Sequence, residues 1–182
     1  MPSSSLMLST ERHLLRPIGQ DDLPQVFAGL SDPRVIVNYG VSYGSLEETR
    51  EQMDWYRTIE ADGSGRWWAI CPKDRPHMMI GACGVNDIVA DHRRAELGYW
   101  LLPEYWQQGI AFECVRTMLD FVFADMAIYR VGADVDMDNP ASVALLLKLG
   151  FQREGIRRAY EFKDGRPINL QLFSLIAADR AA

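Results

Sequence analysis

Apolar positions along the chain change their period several times, and each change marks an element. Residues 12–16 (RHLLR) are apolar at the centre and read as a short strand that Pro17 closes. Asp21 then stands where a helix cap belongs, and the spacing predicts a helix from Leu23 to about Leu30. After a turn at Ser31-Asp32-Pro33, a loop with Asn38, Tyr39, Gly40 and Gly44 leads to Ser45. Ser45 and Glu48 have the spacing of a capping box, so a second helix should run to about Glu60 and stop at Asp62-Gly63-Ser64-Gly65. Residues 66–71 (RWWAIC), 78–89 (MMIGACGVNDIV) and 94–102 are rich in β-formers and separated by polar turns, which predicts a three-stranded meander. Helical spacing returns over 111–124, with Val115, Met118, Leu119, Val122 and Phe123 on one stripe. Residues 129–135 are strand-like, 140–149 are helical with Gly150 as the stop, and 151–160 with 168–176 form a hairpin about Asp164-Gly165. The order is β α α β β β α β α β β.

Length fits this pattern to one domain over residues 1–182, with 1–9 expected as a flexible N-terminal extension. No apolar run approaches the roughly 20 residues of a membrane helix. The formal net charge of −6 argues against nonspecific binding to nucleic acid or anionic lipid. Cys71, Cys83 and Cys114 are odd in number, lack metal-type spacing and sit in apolar segments, so they read as reduced core thiols. The first ten residues have neither the basic nor the apolar region of a secretory signal, and the expected compartment is the cytoplasm. His13, His77 and His92 have no partners in sequence and read as surface or turn residues.

The most informative chemistry lies where the third strand of the meander meets the next helix, in Leu101-Leu102-Pro103-Glu104-Tyr105-Trp106-Gln107-Gln108-Gly109-Ile110-Ala111-Phe112-Glu113. The N–H groups of a first helical turn have no intrahelical partners and sit at the positive end of the helix dipole, so an anion fits there. Gly109 lets a ligand approach the backbone, and Ala111 keeps the next position small. The turn falls at the carboxyl end of a strand, where ligands of α/β sheets bind. Its expected neighbour is Asp138-Asn139-Pro140-Ala141-Ser142, the start of the following strand-helix unit.

Together these fragments resemble the GNAT acyltransferases, within them the ribosomal-protein N-terminal acetyltransferases of the RimJ/RimL type. The resemblance starts at Thr10-Glu11-Arg12-His13-Leu14-Leu15-Arg16-Pro17 and Asp21-Asp22-Leu23-Pro24. It continues through Ala95-Glu96-Leu97-Gly98-Tyr99-Trp100-Leu101, the turn, Asn139-Pro140-Ala141-Ser142, Lys148-Leu149-Gly150-Phe151 and Glu154-Gly155. It implies an α/β (α+β) fold with a mixed, mostly antiparallel sheet of about seven strands flanked by about four helices. It also implies direct acetyl transfer from acetyl-CoA to a primary amine without metal, by a monomer or homodimer.

By the same resemblance, pantetheine adds to the edge of the strand 96–102, including the main chain of Trp100, Leu101 and Leu102, with an oxyanion donor near Leu101. Gln107, Gln108, Gly109, Ile110, Ala111 and Phe112 form the pyrophosphate loop, and Asn139 and Ser142 contact the coenzyme; the structural alternative for these two is a cap on the helix that starts there. Three positions depart from the family pattern: Trp106-Gln107 at the start of the loop, Asn169 in place of a frequent aspartate, and Leu146 where many relatives carry the tyrosine that protonates the departing thiolate. Ser142 is the candidate substitute for that tyrosine. Glu96 is the candidate general base, on one strand face with Gly98 and Trp100; its structural alternative is a strand carboxylate paired with Arg93 or Arg94. Trp67, Trp68, Tyr99, Trp100 and Trp106 read as core aromatics without a catalytic role.

Acceptor chemistry favours one class of amine. A lysine amine near its reference pKa loses its proton at a cost of about 4 to 5 kcal/mol at pH 7, whereas an α-amine costs only about 1 to 1.5. A protein or peptide N-terminus is therefore the expected acceptor. A small amine such as a polyamine, aminoglycoside or amino acid is the alternative, and a non-catalytic acyl-CoA-binding module a lesser one.

Overall fold

A computed structural model describes residues 6–180. Its strands are β1 (Leu8–Ser9), β2 (His13–Pro17), β3 (Arg66–Pro72), β4 (Gly81–Val89), β5 (Arg94–Leu101), β6 (Arg130–Asp136), β7 (Gln152–Lys163) and β8 (Arg166–Ile176). They form one sheet in the order β1-β2-β3-β4-β5-β6-β8-β7, antiparallel throughout except for the parallel pair β5 and β6. The helices are α1 (Leu23–Ser31), α2 (Pro33–Ile36), α3 (Leu46–Asp62), α4 (Ile110–Ala124) and α5 (Pro140–Lys148).

Two elements exceed the expected seven strands and four helices. β1 lies within the stretch read as a flexible extension: Leu8 and Ser9 pair with Leu15 and Leu14 of β2, and the Leu6 carbonyl accepts the Trp68 indole N–H at 3.1 Å. Residues 1–5 of that extension lie outside the described residues. α2 forms where Pro33 had suggested only a turn, because the Asp32 carboxylate accepts the Arg34 N–H at 2.9 Å and Pro33 supplies a preset φ at the first helical position.

Three local expectations are corrected by hydrogen bonding. Asp22, not Asp21, marks the start of α1, and it makes no side-chain cap; its buried carboxylate accepts the Gly19 N–H and a bidentate pair from Arg16 instead. Ser45 caps α3 by accepting the Glu48 N–H at 3.1 Å, but Glu48 closes back on the Gly44 N–H rather than on Ser45. The closing hairpin is longer than the 151–160 and 168–176 expected, since pairing persists to Lys163 and Arg166 at its tip.

Side-chain alternation divides the core between the two sheet faces. Trp68, Ile70, Cys83, Val85, Ala95, Leu101, Val131 and Ala133 pack beneath α4 and α5. Trp67, Ala69, Ala82 and Trp100 pack beneath α1 and α3 with Val26, Leu30, Met53 and Tyr56. The three cysteines are buried and unpaired, as expected. No helix among the described residues is long and apolar enough to cross a membrane.

The feature that creates a site is the divergence of β5 from β6. They pair only from Arg94 with Arg130 to Glu96 with Gly132, after which β5 stays with β4 to Leu101 and β6 with β8 to Asp136. Beyond Glu96 the β5 edge is therefore open. The Leu102 N–H bonds Ile80 on the β4 side, and the Arg93 carbonyl accepts N–H groups on the β6 side. Alternation from these two points turns the main-chain groups of Tyr99 and Leu101 toward the gap.

Candidate active site

The loop after β5 is shaped by backbone conformations that few residues adopt. Gln107 has φ +58 and Gly109 φ +75, and Gly109 caps α4 directly. Left-handed residues followed by helical Ile110 turn successive N–H groups to one side, a concavity whose geometry suits an anion at the positive end of α4. A side chain at Gly109 would meet little, since its first carbon would lie 3.7 Å from the Arg12 guanidinium. Glycine is required here for φ, not for space.

The turn between β1 and β2 braces this loop from behind. The Glu113 carboxylate accepts from the Arg12 N–H at 2.9 Å, from Arg12 Nε at 2.7 Å and from the Thr10 hydroxyl. Arg12 Nη2 donates to the Gln108 carbonyl at 3.2 Å, so that oxygen is held by a cation instead of facing an anion. Burial alone would raise the Glu113 pKa, but the bonds from Thr10, Arg12 and His13 outweigh it and hold the carboxylate at about 2. His13, expected at the surface, is buried with Nδ1 3.4 Å from Glu113.

A cleft of about 600 Å³ runs from this loop through the gap between β5 and β6. Trp100, Leu101, Gln107, Gly109, Ile110, Ala111 and Phe112 line it, as do Asn139 and Ser142 from the start of α5. Leu102 is buried behind the wall and Gln108 faces outward, donating to the Glu104 carbonyl at 2.8 Å; neither side chain lines the cleft. The far end is built by Arg34, Val35, Asn38 and Tyr39 of α2 and its following loop. Lys163 at the hairpin tip donates to the carbonyls of Ile36 and Val37, which ties that end to β7.

The aromatic residues read as core are partly cleft walls. Trp106 is 41% exposed, lines the cleft, and donates its indole N–H to the Leu101 carbonyl at 2.9 Å. That bond occupies one of the open-edge groups of β5. Tyr99 and Trp100 also line the cleft, whereas Trp67 and Trp68 are core as expected. The signal for Tyr99 was present in the alternation: a face shared by Glu96, Gly98 and Trp100 turns Tyr99 to the other side, under α5.

At α5 the polar groups converge. Asn139 caps the helix by accepting the Ser142 N–H at 3.1 Å, and its amide nitrogen lies 3.0 Å from Ser142 Oγ. The Tyr99 hydroxyl lies 2.7 Å from the same Oγ. Leu146, one turn further, is fully buried in the core and presents nothing to the cleft.

Glu96 stands apart from this group, on the opposite face and at the last paired position before the strands part. Its carboxylate occupies space that Gly132 leaves empty: a carbon on Gly132 would come within 2.5 Å of Glu96 Oε2. Burial raises the Glu96 pKa, the Asp134 carboxylate raises it further, and Arg94 and Arg130 oppose both. The expected ion pair exists only at its limit, with Arg94 Nη1 4.0 Å from Oε1. Glu96 does not line the cleft.

A sheet parted at a parallel pair, with a helix-capping turn after the parted strand, fits the acyl-coenzyme A transferase class that the sequence resembles, and comparison with known proteins narrows it. The acetyltransferase (GNAT) domain model matches residues 12–152, and the chain belongs to that family. It is 34% identical over 171 residues to the uncharacterized N-acetyltransferase YoaA of Bacillus subtilis, covering 93% of this chain and 96% of that protein. The ribosomal-protein-serine acetyltransferase of Escherichia coli is 26% identical over 132 residues, 72% of each chain. A crystal structure of spermidine N-acetyltransferase from Vibrio cholerae, in complex with CoA and spermine, superposes with a TM-score of 0.83 at 21% identity, covering 94% of this chain and 99% of that one. The protein is an N-acetyltransferase using acetyl-CoA.

Proposed function

We propose that the acceptor is the α-amine of a protein or peptide. The observation that carries this reading is the lining of the acceptor end: Arg34, Val35, Asn38 and Tyr39 include no carboxylate, and the charge of Arg34 is already met by Asp32, whose carboxylate accepts from its Nε at 3.0 Å and its Nη2 at 2.7 Å. Among the described residues that line the cleft, Asp138 is the single carboxylate, beside Lys148 and the paired Arg34. A polyamine brings several positive charges and needs acidic partners there; a peptide brings one amine, and carbonyls that Arg34 and Asn38 suit.

In this reading the pyrophosphate binds the N–H groups over 108–112, the pantetheine amides add to the open edge of β5, and the Leu101 N–H polarises the thioester carbonyl. Glu96 takes the proton of the attacking amine through water from one sheet face. Ser142 supplies a proton to the departing sulfur from the other. The amine nitrogen bonds to the carbonyl carbon, the C–S bond breaks, and CoA leaves as the thiol.

The test is a panel of N-terminal peptides of ribosomal proteins beside spermidine and aminoglycosides, read by thiol release. Peptides should show kcat/KM at least tenfold above the small amines. A tenfold preference for spermidine or an aminoglycoside would overturn the assignment, and CoA binding without turnover of any acceptor would favour a binding module.

A further inference from the structure

We infer that Tyr99 orients the Ser142 hydroxyl so that its one proton faces the coenzyme sulfur, making these two residues, with Asn139, the unit that replaces the family tyrosine missing at Leu146. The inference rests on the proposed acid role of Ser142 and assigns the residue that makes it possible.

The argument is one of hydrogen-bond capacity. A serine hydroxyl offers one donor and accepts at two lone pairs. Asn139 cannot be read two ways: its oxygen is committed to the Ser142 backbone N–H at 3.1 Å, so the group 3.0 Å from Ser142 Oγ is the amide nitrogen, a donor. The second contact, 2.7 Å from the Tyr99 hydroxyl, runs from phenol to alcohol, because the phenol is the more acidic donor and its oxygen the poorer acceptor. Both lone pairs of Ser142 Oγ are then filled. Its own proton has no partner among the described residues, and Ser142 lines the cleft.

Position adds a second reason. Tyr99 stands on β5 two residues before Leu101, on the face turned toward α5 and beside the open edge proposed for pantetheine. The phenol therefore comes from the strand, whereas the family pattern brings one from the helix. Burial, the dominant influence on Tyr99, raises its pKa, so the phenol stays protonated and remains a donor through neutral pH. Leu146 gives the complementary half: with an aliphatic side chain buried in the core, α5 brings no phenol of its own. As the C–S bond breaks, the sulfur takes the Ser142 proton, Oγ takes the Tyr99 proton along the bond that already joins them while Asn139 donates to the same oxygen, and solvent then returns a proton to the phenolate. Tyr99 acts through Ser142 and is a positioning residue.

The experiment compares wild type, Tyr99→Phe, Ser142→Ala and the double variant, using the acceptor from the panel above that is turned over fastest. Melting temperature, acetyl-CoA affinity and single-turnover rate are measured on each. Tyr99→Phe should slow the single turnover at least tenfold with affinity held within about threefold, and the double variant should be no slower than Ser142→Ala. Asn139→Asp gives an independent check: the carboxylate keeps the cap on the Ser142 N–H but offers Oγ an acceptor, drawing the proton out of the cleft, and the single turnover should slow again. A slow Ser142→Ala beside Tyr99→Phe at the wild-type rate would overturn the inference and leave the acid role of Ser142 standing. Both variants at the wild-type rate would overturn the acid role itself. Losses that appear only in melting or affinity, or that multiply in the double variant, would also refute the shared unit.

Discussion

Gly109→Glu tests the phosphate cradle. The substitution places a carboxylate at the mouth of the concavity made by the N–H groups over 108–112, where the coenzyme pyrophosphate is proposed to sit. Sterically the site accepts a side chain, since the nearest atom to its first carbon is the Arg12 guanidinium at 3.7 Å. The left-handed φ of +75 is the structural cost, on the order of 1 to 2 kcal/mol, or a fall of roughly 2 to 8 °C in melting temperature for a chain of this size. Charge is the functional cost. At about 5 Å and an effective dielectric of about 20, one carboxylate repels one phosphate charge by about 3 kcal/mol, a loss of roughly 200-fold in affinity. Gly109→Gln carries the same strain without the charge and isolates this term. Calorimetric titration with CoA should give a Kd for the glutamate variant at least 100-fold above that of the glutamine variant, and melting curves should coincide within a few degrees. Equal affinities would refute the cradle, because no ligand phosphate would then lie near this loop.

Two further predictions concern carboxylates held away from their ordinary pKa. Burial and then Asp134 raise Glu96, so turnover should climb with pH as Glu96 ionises, and Glu96→Gln should lose that limb and fall by about 100-fold at neutral pH, in the range of general-base help; a loss of only a few-fold would leave Glu96 structural. The same raised pKa means that Glu96 contributes stability fully below its unfolded value near 4.5 and loses it as pH rises through its folded value, so Glu96→Gln should be no less stable than wild type at pH 7 by thermal melting. Glu113 has the opposite sign: its folded pKa of about 2 against 4.5 means stability present above pH 4.5 and lost as pH falls toward 2. Glu113→Gln should therefore cost on the order of 3 kcal/mol at pH 7 and little at pH 2.5, and a variant whose deficit is the same at both pH values would contradict the brace.

What was legible in the sequence was what short-range chemistry decides. Ser45 and Gly63 bound α3, Asn139 and Gly150 bound α5, and Gly109 marked the left-handed turn before α4, because caps and turns depend on residues a few positions apart. The elements that escaped had no such local mark. β1 is two residues long and exists because β2 offers it an edge, and α2 is a single turn made by Asp32 and Pro33. His13 looked like a surface residue because Glu113, which it meets, lies 100 positions away.

The active-site chemistry was half legible for the same reason. Alternation placed Glu96 with Gly98 and Trp100 from the sequence alone, and that placement holds. The site of β5 divergence from β6 could not be read, because β5 stays apolar past Glu96 and β6 keeps its alternation past Gly132, and only tertiary pairing shows that they part there. That divergence gives the alternation of a single strand its chemical meaning. It leaves Glu96 on the face opposite α5, Tyr99 under α5 against Ser142, and the Leu101 main chain at the edge between them. In the proposed mechanism base and acid therefore stand on opposite faces of one strand, and because Glu96 does not line the cleft, its proton has to arrive by way of water where the strands part.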